Sequence, residues 1–236
     1  MTKSFKTFLK HSGKDSYNRT VNPPVVRAST LIFKSIEEIR KTQNKSIKDP
    51  VGGHFSYGRE GSSTIFALQK ILRTLEESYQ VFLAPTGFGS VFLAIFSVVR
   101  PGDEILLSDP IYSPTRLLTE NYLKEFNIKA NFYNPNNIND LKNKISKRTK
   151  LIFVENPGSN TFEFQDLSKI VSLAKKNKIF TAMDNTWGTP YFIKPIKLGF
   201  DMSIVAATKY YSGHADVMGG SLAVNKKIFK HVQKAN

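Results

Sequence analysis

The chain has 236 residues, 40% of them hydrophobic, with 34 lysines and arginines against 19 acidic residues and no cysteine. That length builds a large core, as one big α/β domain or one and a half ordinary ones, and the lack of cysteine excludes disulfides, a thiolate nucleophile and a cysteine metal site. A net charge of +15 raises nucleic acid or an anionic membrane as partners. Only eight of the basic residues are arginine, and no basic run interleaves with stacking aromatics. The lysine clusters at 142–150 and 174–179 read as solvated helix faces and ends, so neither partner is expected.

The start, MTKSFKTFLKHSGKDSYNRT, is broken by lysines and lacks the apolar block of a secretory signal. The longest apolar run, VFLAIFSVV at 91–99, is too short to span a bilayer. A soluble cytoplasmic protein is the expectation. Residues to about 60 read as irregular, with a proline turn and strand-like run in VNPPVVRASTLIF, a helix from Ser35 to Gln43, and an ordered glycine- and serine-rich loop over 50–63. A helix is predicted over about 64–78, with Ile65, Leu68, Leu72 and Leu75 on one stripe.

From there strands and helices alternate. QVFLAP is a strand, GFGSVFLAIFSVV a helix, EILLSD a strand, SPTRLLTENYLKEF a helix and KANFYN a strand. INDLKNKIS is a helix, KLIFVENP a strand and LSKIVSLAKKN a helix, and strands follow in IFTAMDN, DMSIVAATK and GGSLAVN. The alternation predicts an α/β fold, a mostly parallel sheet with helices on both faces. Continuously apolar strands suit burial on both sides. The expected organisation is an N-terminal arm and loop region over 1–60 and an α/β domain over 61–236.

Ligands of open α/β sheets gather at the carboxyl ends of the strands. After the first strand, Thr86-Gly87-Phe88-Gly89 opens a helix whose free N–H groups favour a phosphate. Tyr112 follows the second strand as a stacking aromatic, Asp184 stands at the end of IFTAMDN before Asn185, Thr186 and Trp187, and Lys209 follows SIVAAT in surroundings that read as crowded and apolar. A lysine, a carboxylate and a helix N-terminus at neighbouring strand ends point to pyridoxal 5′-phosphate, whose aldehyde condenses with a lysine and whose ring nitrogen needs a buried acid. Singly these residues have plainer readings: a snorkelling lysine, a helix-capping aspartate, a packed tyrosine. His214 reads as a local hydrogen-bonding group, and His11, His54 and His231 form no metal pattern, so no metal is expected.

AMDNTWGTP and AATKYYSGHADVMGG resemble the Cys/Met-metabolism (trans-sulfuration) group of pyridoxal-phosphate enzymes, as do YGREGSSTIFALQKIL and VNPPVVRASTLIF. Within the group, Trp187, ENPGSNTFEF and Ala206 three before the lysine resemble the bacterial cystathionine β-lyases. The resemblance implies the large domain of the type I, aspartate-aminotransferase-like fold. It implies that Lys209 forms the Schiff base and serves as mobile acid and base, made easier to deprotonate by a partly desolvated site. Asp184 then pairs with the ring nitrogen, Gly87, Phe88 and Thr208 hold the phosphate, and Tyr112 stacks on the ring and helps deprotonate the incoming amine. Tyr57 and Arg59 reach the phosphate of a neighbouring subunit, in a homodimer or homotetramer.

The implied reaction is β-cleavage of L-cystathionine to homocysteine, pyruvate and ammonia. A γ-class reaction, β-elimination from cysteine or another S-substituted cysteine, and, remotely, a non-catalytic nucleic-acid-binding role remain alternatives. Members of this group continue into a C-terminal domain whose arginine grips the substrate carboxylate. The chain is therefore expected to be an early-ending form, impaired on its own, whose last helix in KKIFKHVQKAN lacks a partner for its apolar face.

Overall fold

The computed structural model describes residues 4–12 and 21–236; most of the lysine-broken start discussed above lies outside them. The chain divides into two compact units, 1–74 and 75–236.

The first unit carries α1 (Phe5–His11), α2 (Ile36–Lys48), a 3-10 turn (Gly58–Glu60) and most of α3 (Ser63–Glu76). The Ser35 side chain caps α2 by accepting from Glu38 N–H, and Glu38 reaches back to Lys34 N–H at 2.8 Å, a reciprocal cap that starts the helix where the sequence placed it. The helix runs on to Lys48, past the expected end at Gln43. The strand expected in VNPPVVRASTLIF does not form. The Thr64 hydroxyl, instead of a strand edge, bonds this segment, accepting from Val26 N–H at 2.9 Å and donating to Pro24 O at 2.8 Å. Val25 and Ile32 are exposed, so the run has neither the ladder nor the buried face that makes a strand.

The second unit is built on seven strands: β1 (Gln80–Ala84), β2 (Glu104–Ser108), β3 (Lys129–Tyr133), β4 (Thr149–Glu155), β5 (Phe180–Asp184), β6 (Met202–Val205) and β7 (Gly220–Val224). Their order is β1-β7-β6-β5-β4-β2-β3. The central pairs from β3 to β6 are parallel, as predicted, whereas β7 runs antiparallel to both β1 and β6. Strands β6 and β7 are joined by a turn and loop without the crossover helix that a parallel pair requires, so the chain reverses around Lys209.

Helix α4 (Gly87–Val98) packs across β1, β7, β6, β5 and β4. After β2 come α5 (Ser113–Leu117), a π-helical turn over 118–122 and α6 (Leu123–Glu125), so the helix predicted in SPTRLLTENYLKEF forms with an irregular middle. A core of Leu106, Ile152, Val154, Met183 and Phe200 packs with Leu141 of α7 (Ile138–Lys144) and with Ile170, Val171 and Ala174 of α8 (Leu167–Asn177). Two short helices, α9 (Thr189–Phe192) and α10 (Pro195–Leu198), lead into β6. The last helix, α11 (Phe229–Ala235), corrects the expectation of an unpartnered apolar face. Phe229 packs against Tyr79 and Phe82 with ring centroids 5.1 and 5.9 Å away, and Val232 is fully buried.

Candidate active site

The carboxyl edge of the parallel strands gathers Gly87, Asp184, Tyr112 and Lys209, linked through Ala206, Thr186 and Glu155. Helix α4 starts there, capped by Thr86, whose hydroxyl accepts from Gly89 N–H at 2.9 Å. The N–H groups of Gly87 and Phe88 open the helix ahead of that bond and stay available to an anion. Gly87 sits so close to the turn after β6 that a Cβ on it would lie 2.6 Å from the Ala206 Cβ. Only a residue without a side chain allows this approach.

From Ala206 the contacts lead across the edge. Ala206 N–H donates to the Thr186 hydroxyl at 2.9 Å, and that hydroxyl donates to Asp184 Oδ1 at 2.6 Å. Thr186 N–H also bonds Oδ1, at 3.0 Å, leaving Oδ2 without a hydrogen bond among the described residues. Burial raises the Asp184 carboxyl above its ordinary value, against the Thr186 hydroxyl and N–H, which favour the anion. Asp184 is the in-register neighbour of Glu155 on β4. Glu155 Oε2 in turn accepts the N–H of Tyr112 at 2.6 Å. Tyr112 itself is 47% exposed.

Lys209 lies on the turn just past Ala206, its N–H bonded to Ala206 O at 3.0 Å and its carbonyl capped by Gly213 N–H at 2.9 Å. Its side chain is exposed. The crowded, desolvated setting read from the flanking apolar runs is thus not observed: those runs are strands β6 and β7, and the lysine stands on the turn beyond them. The Thr208 hydroxyl exchanges hydrogen bonds with Gly219, donating to its carbonyl at 3.2 Å and accepting from its N–H at 3.1 Å. This closes the neck of the Lys209 loop. His214 bonds locally, Nδ1 to Ser212 O at 3.1 Å, as expected. Trp187 is 46% exposed and meets Phe162 edge-on at 5.2 Å.

Tyr57 and Arg59 belong to the first unit, where the guanidinium lies over the tyrosine ring at 5.9 Å. A separate cleft of about 820 Å³ contains none of the predicted site residues, and both its cations are paired, Arg116 with Asp109 and Glu120, and Lys144 with Asp140. No cluster of potential metal ligands occurs among the described residues.

Glu155 escaped the sequence reading. It closes the apolar run LIFV just before Asn156-Pro157, and a charge ending a doubly buried strand was the signal available.

The family described as "Cys/Met metabolism PLP-dependent enzyme" matches residues 6–236. The chain belongs to that family. Its cofactor is therefore pyridoxal phosphate, and the site fits it: a donor-rich helix start against which no side chain fits at Gly87, an acid with one free oxygen, and a lysine on the adjoining turn. A cystathionine beta-lyase of Haemophilus influenzae is 34% identical over 97% of this chain and 58% of its own length. An L-alanine/L-glutamate racemase of Wolbachia pipientis is 34% identical over 92% of this chain and 54% of its own. The crystal structure of a cystathionine gamma-lyase from Lactobacillus plantarum superposes with a TM-score of 0.86, at 25% identity, over 99% of this chain and 58% of that one. The chain spans a little over half the length of the curated relatives it matches.

Among the described residues, no helix is long and apolar enough to cross a membrane.

Proposed function

We propose that the chain is the cofactor-binding part of a carbon–sulfur β-lyase that converts L-cystathionine and water to L-homocysteine, pyruvate and ammonia. The observation that carries this reading is the contact of Gly87 with Ala206, which sets the phosphate-type donors of α4 against the turn bearing Lys209, two contacts from Asp184. When bound, pyridoxal phosphate supplies an electron sink for negative charge developing at the substrate Cα.

The chain's own residues do the rest. Gly87 and Phe88 N–H groups bind the phosphate, with the Thr208 hydroxyl beside them. Asp184 Oδ2 holds the proton on the ring nitrogen. Tyr112 covers the ring and accepts a proton from the incoming substrate amine. Lys209 Nζ would hold the cofactor and, as a free amine, would take the substrate Cα proton and deliver one to the departing sulfur. Tyr57 and Arg59 complete the phosphate site of a second copy in a homodimer or homotetramer.

A γ-class reaction is the second reading, favoured by the superposition on a cystathionine gamma-lyase. Racemisation is a third, favoured by the Wolbachia relative. Product analysis with cystathionine and alanine decides among them. Pyruvate with homocysteine supports β-cleavage, 2-oxobutyrate with cysteine overturns it in favour of γ-cleavage, and D-alanine formation alone points to the racemase. Product formation that survives Lys209→Ala overturns all three.

A further inference from the structure

Glu155 and Asp184 end adjacent parallel strands as register partners, so their side chains leave the sheet on the same face. Glu155 is only 4% exposed. No lysine, arginine or histidine forms an ion pair with either residue among those described, although the chain as a whole is strongly basic. The titratable group that faces Glu155 directly is Asp184. The Tyr133 hydroxyl on β3 is linked to it indirectly, donating to Gln165 Oε1 at 2.7 Å while Gln165 Nε2 donates to the Glu155 carbonyl at 2.9 Å. The other close groups are neutral: Tyr112 N–H on Oε2, the Ser159 hydroxyl on the carboxyl, and the Ser108 hydroxyl accepting the Glu155 N–H at 3.2 Å.

Two neighbouring carboxylates with no cation between them cannot both ionise at neutral pH without a large repulsion. The pair therefore holds one proton. Asp184 has two Thr186 donors on one oxygen, which favour its anion. Glu155 has one backbone donor, Tyr112 N–H, which a neutral carboxyl accepts equally well at its carbonyl oxygen, and the Ser159 hydroxyl, which can turn to accept from the neutral acid as readily as it donates to the anion. Burial, and then the charge of Asp184, push the Glu155 carboxyl up to about 8.

We infer that Glu155 is a positioning residue of the cofactor site: it carries the shared proton, so that Asp184 stands as a single anion, and it fixes the backbone of Tyr112 through the same carboxyl. The location of the proton is inferred from the register pairing, the burial and the donors around each acid. Its role in holding the cofactor rests on the function proposed above.

The test is infrared difference spectroscopy of the protein in a Glu76→Gln background, which removes the other buried acid with a raised pKa. A protonated-carboxyl band at neutral pH, titrating away in the alkaline range and absent after Glu155→Gln, is the expected result. The same variant, whose glutamine still accepts the Tyr112 N–H, loses the alkaline step in the pH profile of pyridoxal phosphate affinity. A band that survives Glu155→Gln, or a step that does not change, overturns the inference. If that variant does not fold, Asp184→Asn serves: removing the neighbouring charge moves the band's midpoint to lower pH, and an unmoved midpoint is equally fatal. Borohydride capture of the cofactor on Lys209 reports separately on the proposed function, so the two failures are distinguishable.

Discussion

The Tyr211 hydroxyl lies 3.2 Å from Glu76 Oε1 as its donor, tying the turn that carries Lys209 to the last residue of α3. Glu76 is fully buried, and its Oε2 has no hydrogen-bond partner among the described residues. Burial pushes its carboxyl from 4.5 up to about 7, against the opposing effects of Ser203, Tyr211 and the Lys194 charge. The folded chain thus binds this proton more tightly than the unfolded one. The glutamic acid costs nothing below pH 4.5, and stability falls as pH rises from there through 7. The gap corresponds to about 3 kcal/mol. Glu76→Gln is expected to flatten that window in urea unfolding curves followed by circular dichroism, with the variant overtaking the parent above pH 7. Parallel profiles for the two proteins would refute it.

Gly87→Ala places a methyl group 2.6 Å from the Ala206 Cβ. Overpacking of this kind costs about 1–3 kcal/mol, and here it opens the gap between α4 and the Lys209 turn. Pyridoxal phosphate affinity should fall by roughly tenfold or more, read by absorbance titration, while the far-ultraviolet spectrum stays that of the parent. Unchanged affinity would mean the cradle lies elsewhere.

Phe229→Ala empties the contact of α11 with Tyr79 and Phe82. Truncation of a buried phenylalanine costs about 3–5 kcal/mol. Denaturant unfolding should show that loss, with a lower midpoint and little change of slope.

Thr86→Ala removes the hydroxyl that accepts from Gly89 N–H. The loss of such a cap costs about 1 kcal/mol. Thr86→Ser, which keeps the oxygen, should recover most of it in the same unfolding assay.

Much of this was legible in the chain because its strands are short, apolar and separated by helices with the right period. Asp184, Tyr112 and Lys209 follow from that, since residues at the ends of such strands share one edge. The antiparallel insertion of β7 was not legible: GGSLAVN is as apolar as its parallel neighbours, and direction leaves no mark on composition. Glu76 reads in RTLEES as an ordinary solvated helix residue, because its burial is decided by Ser203 and Tyr211, far away in sequence. VNPPVVRASTLIF shows the converse, a local preference for extension that found no ladder.

The position of β7 bears on how the protein is made. Among the described residues, β1, near the start of the second unit, has β7 as its sole neighbour in the sheet, and β7 is the last of the seven strands in chain order. Until it arrives, β1 waits as an open edge, and the start of α4 has nothing to close against. Closure of the cofactor cradle thus waits for β7, and a nascent chain stalled ahead of Gly220 would expose a strand prone to pairing with its copies.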